Sequence, residues 1–378
     1  MVRRVPVTWG FPEQISGLVV IMGEFMACLG WPRTINFSQR TARLLEALSS
    51  FPDMNRFFAE GEEFALIERM FRPDHFSPNA KGLGDDAFLF EPKAGSKWVI
   101  TTDSSVEGVH YRLDWTSPAR ALRKALLASL SDINAMGGVS RHAFFNLGAR
   151  PDWGKAEFET FGHILRELEE AHGFRISGGN TVRTSGPGFF AFTVMGEIEG
   201  TPLLRSACVP GHRIYMSGTL GCSSAGLSLL KEGKTEETAN GFDSELIRAH
   251  FDPAPPIKLG PYLASLGKPI GAIDISDGLS SELWHLSRQS GCSLRIQWDK
   301  LPKHPSLGVL TWDEIRRFVL FGGEEYQLLF TGVFSNEELR QMSVFTPISE
   351  IGAVEEGNGV FLEEGGGYQA LTSGGYSH

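Results

Sequence analysis

The chain has 378 residues, 42% of them hydrophobic, and a formal net charge of −10. That length holds a sizeable core and suits two domains better than one, while the acidic balance and the lack of any Lys/Arg block argue against a nucleic-acid groove. No stretch approaches the roughly 20 apolar residues of a membrane span, and the scattered cysteines (Cys28, Cys208, Cys222, Cys292) form no CxxC pair and suit a reducing cytosol.

Residues 1–58 show little periodicity and no chemistry-bearing motif. From Gly61 the pattern sharpens: Phe64, Ile67 and Phe71 have helical spacing, and Pro73 ends the helix. Asp86–Phe90 and Trp98–Thr102 read as strands, the second ending at Asp103, and Ala119–Met136 as a long amphipathic helix carrying Asp132. A strand over Arg141–Leu147, a helix over Ala156–His172 and a strand over Phe174–Ser177 lead to Gly178-Gly179-Asn180-Thr181, which reads as a glycine turn before strand Phe189–Ile198.

Gly200, Pro202, Pro210 and Gly211 mark a boundary. The expected organisation is an N-terminal extension (1–58), a first domain (59–199) and a second (200–378). In the second, Arg213–Ser217 is a strand, Ser223–Leu230 a helix and Ile270–Ile275 a strand. The chain then breaks at Ser276-Asp277-Gly278 into helix Leu279–Gln289, and Glu325–Thr331 is a further strand. Strands and helices mix without strict βαβ alternation, which predicts an α+β fold built of two α/β domains.

Carboxylates stand beside Gly, Ser or Thr at several element edges: Asp85 and Asp86, Asp103, Asp132, and Asp274 with Asp277. Each alone has a plainer reading, a turn or a helix cap. Asp132 is the exception, because an acid beside Leu126, Leu130 and Ile133 is costly to bury unpaired. Together they resemble the lining of a polyanion site, which carboxylates can form only with divalent cations between them, and hard oxygen donors suit Mg²⁺. No Gly-x-x-x-x-Gly-Lys-Ser/Thr occurs, so a P-loop is absent. Arg205 and Lys124 are candidate phosphate contacts, and His110 is either a phosphate donor or a buried, hydrogen-bonded histidine.

In order and spacing, the segments from about residue 60 to the end resemble the thiamine-monophosphate kinase family, in the superfamily of aminoimidazole ribonucleotide synthetase. The resemblance rests on Gly84-Asp85-Asp86-Ala87, the stretch from Thr101 to His110, the stretch from Leu130 to Gly137, and Gly178-Gly179-Asn180-Thr181. It continues through Leu204-Arg205-Ser206, Gly218-Thr219-Leu220-Gly221, Asp274-Ile275-Ser276-Asp277-Gly278-Leu279, Gly322-Gly323-Glu324 and Gly375-Tyr376. It implies ATP-dependent phosphorylation of thiamine phosphate to thiamine diphosphate with Mg²⁺ as cofactor, and a homodimer whose first domains close a barrel across the interface. It places Asp85, Thr102, Asp103, Asp132, Asp274 and Asp277 on metal positions, Asn180, Arg205 and Ser276 on nucleotide positions, and His110, Glu324 and Tyr376 on substrate positions. The family's Gly-Gly-Asp-Thr reads Gly-Gly-Asn-Thr here, so Asn180 offers a carbonyl oxygen where a carboxylate is usual. The expected acceptor is a phosphate monoester, largely ionised at neutral pH because its second pKa is about 6, so no general base is required. The competing readings are a related ATP-dependent enzyme with another acceptor, and a nucleotide-binding dimer without turnover, which Asn180 and Glu325 would favour.

Overall fold

The computed structural model describes residues 80–81, 87–239 and 241–375, all within one compact unit, Glu60–His378. Asp85, Asp86, Tyr376, Cys28, the helix expected before Pro73 and the extension 1–58 lie outside the described residues. Short strands β1 (Ala80–Lys81) and β2 (Leu89–Phe90) pair antiparallel. Next come β3 (Lys97–Val106), α1 (Pro118–Ala135), β4 (Val139–Ala149), α2 (Lys155–His172), β5 (Arg175–Arg183) and β6 (Phe189–Ile198). Their strands form a four-stranded sheet in the order β3-β6-β4-β5, parallel only at β4/β5.

The second half holds β7 (Arg213–Ser217), α3 (Cys222–Lys231), α4 (Phe242–Phe251), α5 (Leu259–Ser265), β8 (Gly271–Asp274), α6 (Leu279–Ser290) and β9 (Ser293–Gln297). It ends with α7 (Trp312–Phe321), β10 (Leu328–Gly332), α8 (Asn336–Met342), β11 (Ile348–Glu355), β12 (Gly359–Glu364) and β13 (Gly367–Ala370). Seven strands form one sheet, β13-β12-β9-β11-β7-β10-β8, parallel only at β12/β9. With two large sheets, one two-stranded ribbon and eight α-helices among the described residues, the protein is a mixed α/β fold in which antiparallel pairing dominates.

Local chemistry explains α1, the helix that joins the halves. Ser117 caps it, its hydroxyl accepting the Arg120 N–H at 3.3 Å, and Pro118 follows at the first helical position. Leu122, Leu126, Leu130 and Ile133 recur at helical spacing and are fully buried, each worth about 1.5–3 kcal/mol of transfer free energy. They pack with Phe145, Phe192 and Val194 in the core of the first sheet. The C-terminal end of α1 enters a second core with Leu259 and Leu263 of α5, and Asn134 Oδ1 accepts the Gly260 N–H at 2.7 Å. Strands β7, β8 and β10 are buried on both faces, with α3, α6 and α7 on one side and α5 and α8 on the other, so they read as apolar runs rather than alternations.

Three sequence expectations are corrected. Strand β3 does not end at Thr102 but runs to Val106, because its Ser/Thr-rich half pairs with β6 as far as Val106↔Phe189. Gly178-Gly179-Asn180-Thr181 is not a turn but the middle of β5, in register with Phe144 to Leu147 of β4. A Cβ on Gly179 would lie 2.0 Å from the Phe145 carbonyl oxygen, so this glycine serves close strand approach. The strand expected from Glu325 begins only at Leu328, because Glu324 (φ +61°) and Tyr326 (φ +51°) are left-handed.

Candidate active site

A cavity of about 700 Å³ is lined by residues of β3, α1, α3 and α4 and by the corners at 274–277 and 323–326. Along α1 the lining reads Ala121, Lys124, Ala125, Ala128 and Asp132. Two alanines therefore separate a cation from an anion on one helix face, about 12 Å apart at the helical rise.

One end of the cavity is acidic. Asp103 projects from inside β3, Asp132 from α1 and Asp274 from the last position of β8, with Asp277 on the following corner. The Thr101 hydroxyl donates to Asp132 Oδ2 at 2.6 Å, and the Ser131 hydroxyl donates to Asp274 Oδ2 at 2.7 Å. Burial first, then the charges of Asp274 and Asp103, push the Asp132 carboxyl up to about 7. Burial also raises Asp274, although Ser131 and the charge of Arg205 pull it back. Asp103 Oδ2 is buried without a hydrogen-bond partner. Among the described residues no three Asp, Glu, His or Cys side chains close into a ready-made cation cage. Mg²⁺ rarely uses one: it commonly takes one or two carboxylates and fills its shell with substrate phosphates and water. An orphaned buried carboxylate oxygen beside two repelling aspartates fits such an ion.

The corner is built by a residue that sequence reading missed. Glu282, in the first turn of α6, accepts the Asp277 N–H at 2.8 Å and the Ser276 N–H at 3.2 Å through Oε1. Burial pushes its carboxyl up to about 7. An acid in the first helical turn just after an Asp-Gly corner was the available signal.

At the other end, Trp115, Tyr111 and His110 face Glu324, His250 and Lys231 across the cavity. His110 Nδ1 accepts the Val106 N–H at 3.1 Å. Lys124 Nζ stands 3.0 Å from Glu324 Oε1, and His250 Nδ1 3.5 Å from Oε2. Burial alone would raise the Glu324 carboxyl, but the neighbouring charge, Lys124 foremost, outweighs it and holds the group below its ordinary value. No periodic or spacing signal pointed to His250.

The structure thus brings Asp103, Asp132, Asp274, Ser276, Asp277, His110 and Glu324 around one cavity. Asn180 and Arg205 stand apart from it, and Thr102 borders it from the other face of its sheet. The register Thr102↔Thr193↔Phe144 and Ser104↔Ala191↔Asn146↔Asn180 puts Thr102 and Asn180 on the sheet face opposite the helices, whereas Asp103 shares the row of buried Phe192 and Phe145. The Thr102 hydroxyl meets that of Thr193 at 3.0 Å, although Thr102 still borders the cavity. Arg205, exposed in the short turn Arg205–Ala207, is outside the lining and acts on Asp274 through its charge.

Next to Glu324, Glu325 is buried among Cys222 and its neighbours and accepts the Ser223 N–H at 3.0 Å. Burial pushes its carboxyl up to about 8, against roughly 4.3 in an unfolded chain. The folded protein therefore holds a proton that the unfolded chain releases. This contribution to stability is complete below the unfolded value and is lost as pH rises toward 8. The unfolding temperature is expected to fall between about pH 5 and 8, and less steeply in Glu325→Gln, which keeps the acceptor oxygen without the titration. Equal slopes in a thermal-shift series across pH would show that Glu325 is ionised when folded.

Comparison with known proteins gives two family matches: AIR synthase related protein, N-terminal domain, over residues 84–198, and AIR synthase related protein, C-terminal domain, over residues 209–364. A thiamine-monophosphate kinase of Bacillus subtilis (strain 168) is 35% identical over 328 residues, spanning 84% of this chain and 99% of that protein. The crystal structure of thiamine-monophosphate kinase from Stenotrophomonas maltophilia K279a aligns with a TM-score of 0.72 at 30% identity, covering 80% of this chain and 96% of that one. The structure of AaThiL complexed with AMPPCP and TMP aligns at 0.67 and 29% identity, covering 84% of this chain and 96% of its own.

Proposed function

The chain belongs to the thiamine-monophosphate kinases of the AIR synthase-related family, and on that premise we propose that its cavity carries out the ATP-dependent phosphorylation of thiamine phosphate to thiamine diphosphate by direct in-line transfer. The observation that carries this assignment is the acidic wall: aspartates from β3, α1 and β8 converge on one cavity, with one buried carboxylate oxygen left unpartnered.

Bringing two phosphorylated molecules together is the main barrier, since unit like charges at 4 Å repel by about 4 kcal/mol at an effective dielectric of 20. Asp103, Asp132, Asp274 and Asp277 would hold several Mg²⁺ ions between them, with Asp85 and Thr102 as further ligands. When bound, the ions neutralise and orient the phosphates. The acceptor phosphate is already ionised, so the aspartates serve as ligands rather than bases. Glu282 keeps the Ser276–Asp277 corner in shape. Ser276 and Arg205 would contact nucleotide; His110, Glu324 and Tyr376 would seat the organic part of thiamine phosphate.

The face of the first sheet away from its helices leaves Ile100 and Val182 61% and 44% exposed. A second copy of the chain would cover that face and close a barrel, forming the homodimer. Asn180 lies there, so its contact with nucleotide would come from the dimer face and not from the cavity wall. No described helix is long and apolar enough to cross a membrane, and the assigned location is the cytoplasm.

Incubation with Mg²⁺ and ATP should release ADP only when thiamine phosphate is present, with one thiamine diphosphate formed per ADP. ADP release independent of thiamine phosphate would sink the kinase assignment. A solution mass equal to the single chain's 41.5 kDa would remove the dimer.

A further inference from the structure

Two side chains outside the family's ligand set hold Glu324. Lys124 is 8% exposed, yet it carries an ammonium into the cavity from the middle of α1. That ammonium lies 3.0 Å from Glu324 Oε1 as an ion pair, and among the described residues it makes no hydrogen bond. His250, 4% exposed, approaches Oε2 at 3.5 Å. Its ring is also tied to the Ser223 hydroxyl at 3.1 Å.

The backbone under Glu324 is equally constrained. Glu324 and Tyr326 both occupy the left-handed region, which non-glycine residues keep only where their surroundings hold them. Here the Glu324 N–H donates to the Ser276 carbonyl at 2.7 Å and the Tyr326 N–H to that of Ile275 at 2.8 Å. This pins the segment to the same corner that carries Asp277. The direction of Glu324 is thus set by its backbone, and its carboxylate is held from the far side by a lysine of the other domain.

We propose that Lys124 is a positioning residue for thiamine-phosphate recognition, fixing the Glu324 carboxylate as a hydrogen-bond acceptor for the cationic, amino-bearing organic part of the substrate. This rests on the reading that Glu324 contacts substrate. Three features support it. Between Lys124 and the acidic end the α1 side of the cavity carries only small side chains, Ala125 and Ala128, which leave room for a substrate whose phosphate lies at Asp132 to extend its organic part toward Glu324. An ionised carboxylate only accepts hydrogen bonds, which matches an amine and rejects a carbonyl. Burial first and then the charge of Lys124 push His250 down to about 3, so the lysine is the cation that faces Glu324.

The test is steady-state kinetics on the full chain for Lys124→Met, Lys124→Arg, Glu324→Gln and the Lys124→Met/Glu324→Gln pair. Lys124→Met should raise the KM for thiamine phosphate about tenfold, with the KM for ATP and kcat within about twofold of wild type. Lys124→Arg should recover most of the loss. The double variant should be no worse than Glu324→Gln alone, because the lysine acts through the carboxylate. If Lys124→Met is insoluble, Lys124→Gln serves the same comparison. A rise in the KM for ATP instead would make Lys124 a phosphate contact and overturn the proposal. So would an unchanged KM for thiamine phosphate in Lys124→Met or Glu324→Gln, or effects of the two single changes that multiply. Wild-type turnover is the reference: its absence would fail the kinase reading, whereas an active wild type with an indifferent Lys124→Met fails only this inference.

Discussion

Asp103→Asn is expected to lower kcat by about a hundredfold and to raise the Mg²⁺ concentration needed for half-maximal rate, while leaving the substrate-free protein at least as stable as wild type. The kinetic arm follows from charge. Asp103 contributes a buried oxygen with no protein partner, and losing one carboxylate from the proposed ion site should cost about 3 kcal/mol of transition-state stabilisation, or roughly two powers of ten. The stability arm has the opposite sign. Without a cation, the charge of Asp103 disfavours the ionised form of Asp132, and an amide of the same shape removes that repulsion. A residue conserving the fold would do the reverse, losing stability along with activity. Measuring the magnesium dependence of turnover and the unfolding temperature of the same preparation separates the two. An unaltered magnesium curve would refute the ligand role of Asp103.

Gly179→Ala is expected to cost about 3 kcal/mol of folding stability, the upper end for forcing extra volume into a packed interior. The added Cβ would stand 2.0 Å from the Phe145 carbonyl oxygen and 2.9 Å from its carbonyl carbon. These are backbone atoms of β4, held on both sides by β5 and β6, and they cannot move without opening the ladder. The neighbouring Gly178→Ala is the control. Its Cβ would meet only the Phe144 ring at 3.0 and 3.4 Å, a side chain that can rotate aside, so its cost should be small. Denaturant unfolding of both variants checks the contrast. Equal midpoints would mean that the strand tolerates a side chain at Gly179.

The sequence by itself determined the parts whose causes are local. Ser117-Pro118 and the leucine spacing specify α1 without help from the rest of the chain, and the strands Arg213–Ser217 and Phe189–Ile198 occupy the positions their apolar patterns predict. The carboxylates beside small residues were legible as a set, because acids at element edges need a partner wherever the edge is buried, and the order of the motifs pointed to the family.

Tertiary structure alone decided what depends on partners distant in sequence. Thr101 and Thr102 are alike in sequence, yet the pairing of β3 with β6 turns the first toward Asp132 and the second toward the opposite face. Glycine at 178–179 is compatible with a turn or with close strand approach, and only the Phe145 backbone settles which. In sequence, Glu324 is simply the acid that precedes the strand expected from Glu325. Its left-handed backbone and its contacts with Lys124, 200 positions earlier, and His250, 74 positions earlier, arise when two domains meet. Local propensity carries no information about such encounters, because their free energy exists only once both surfaces are folded.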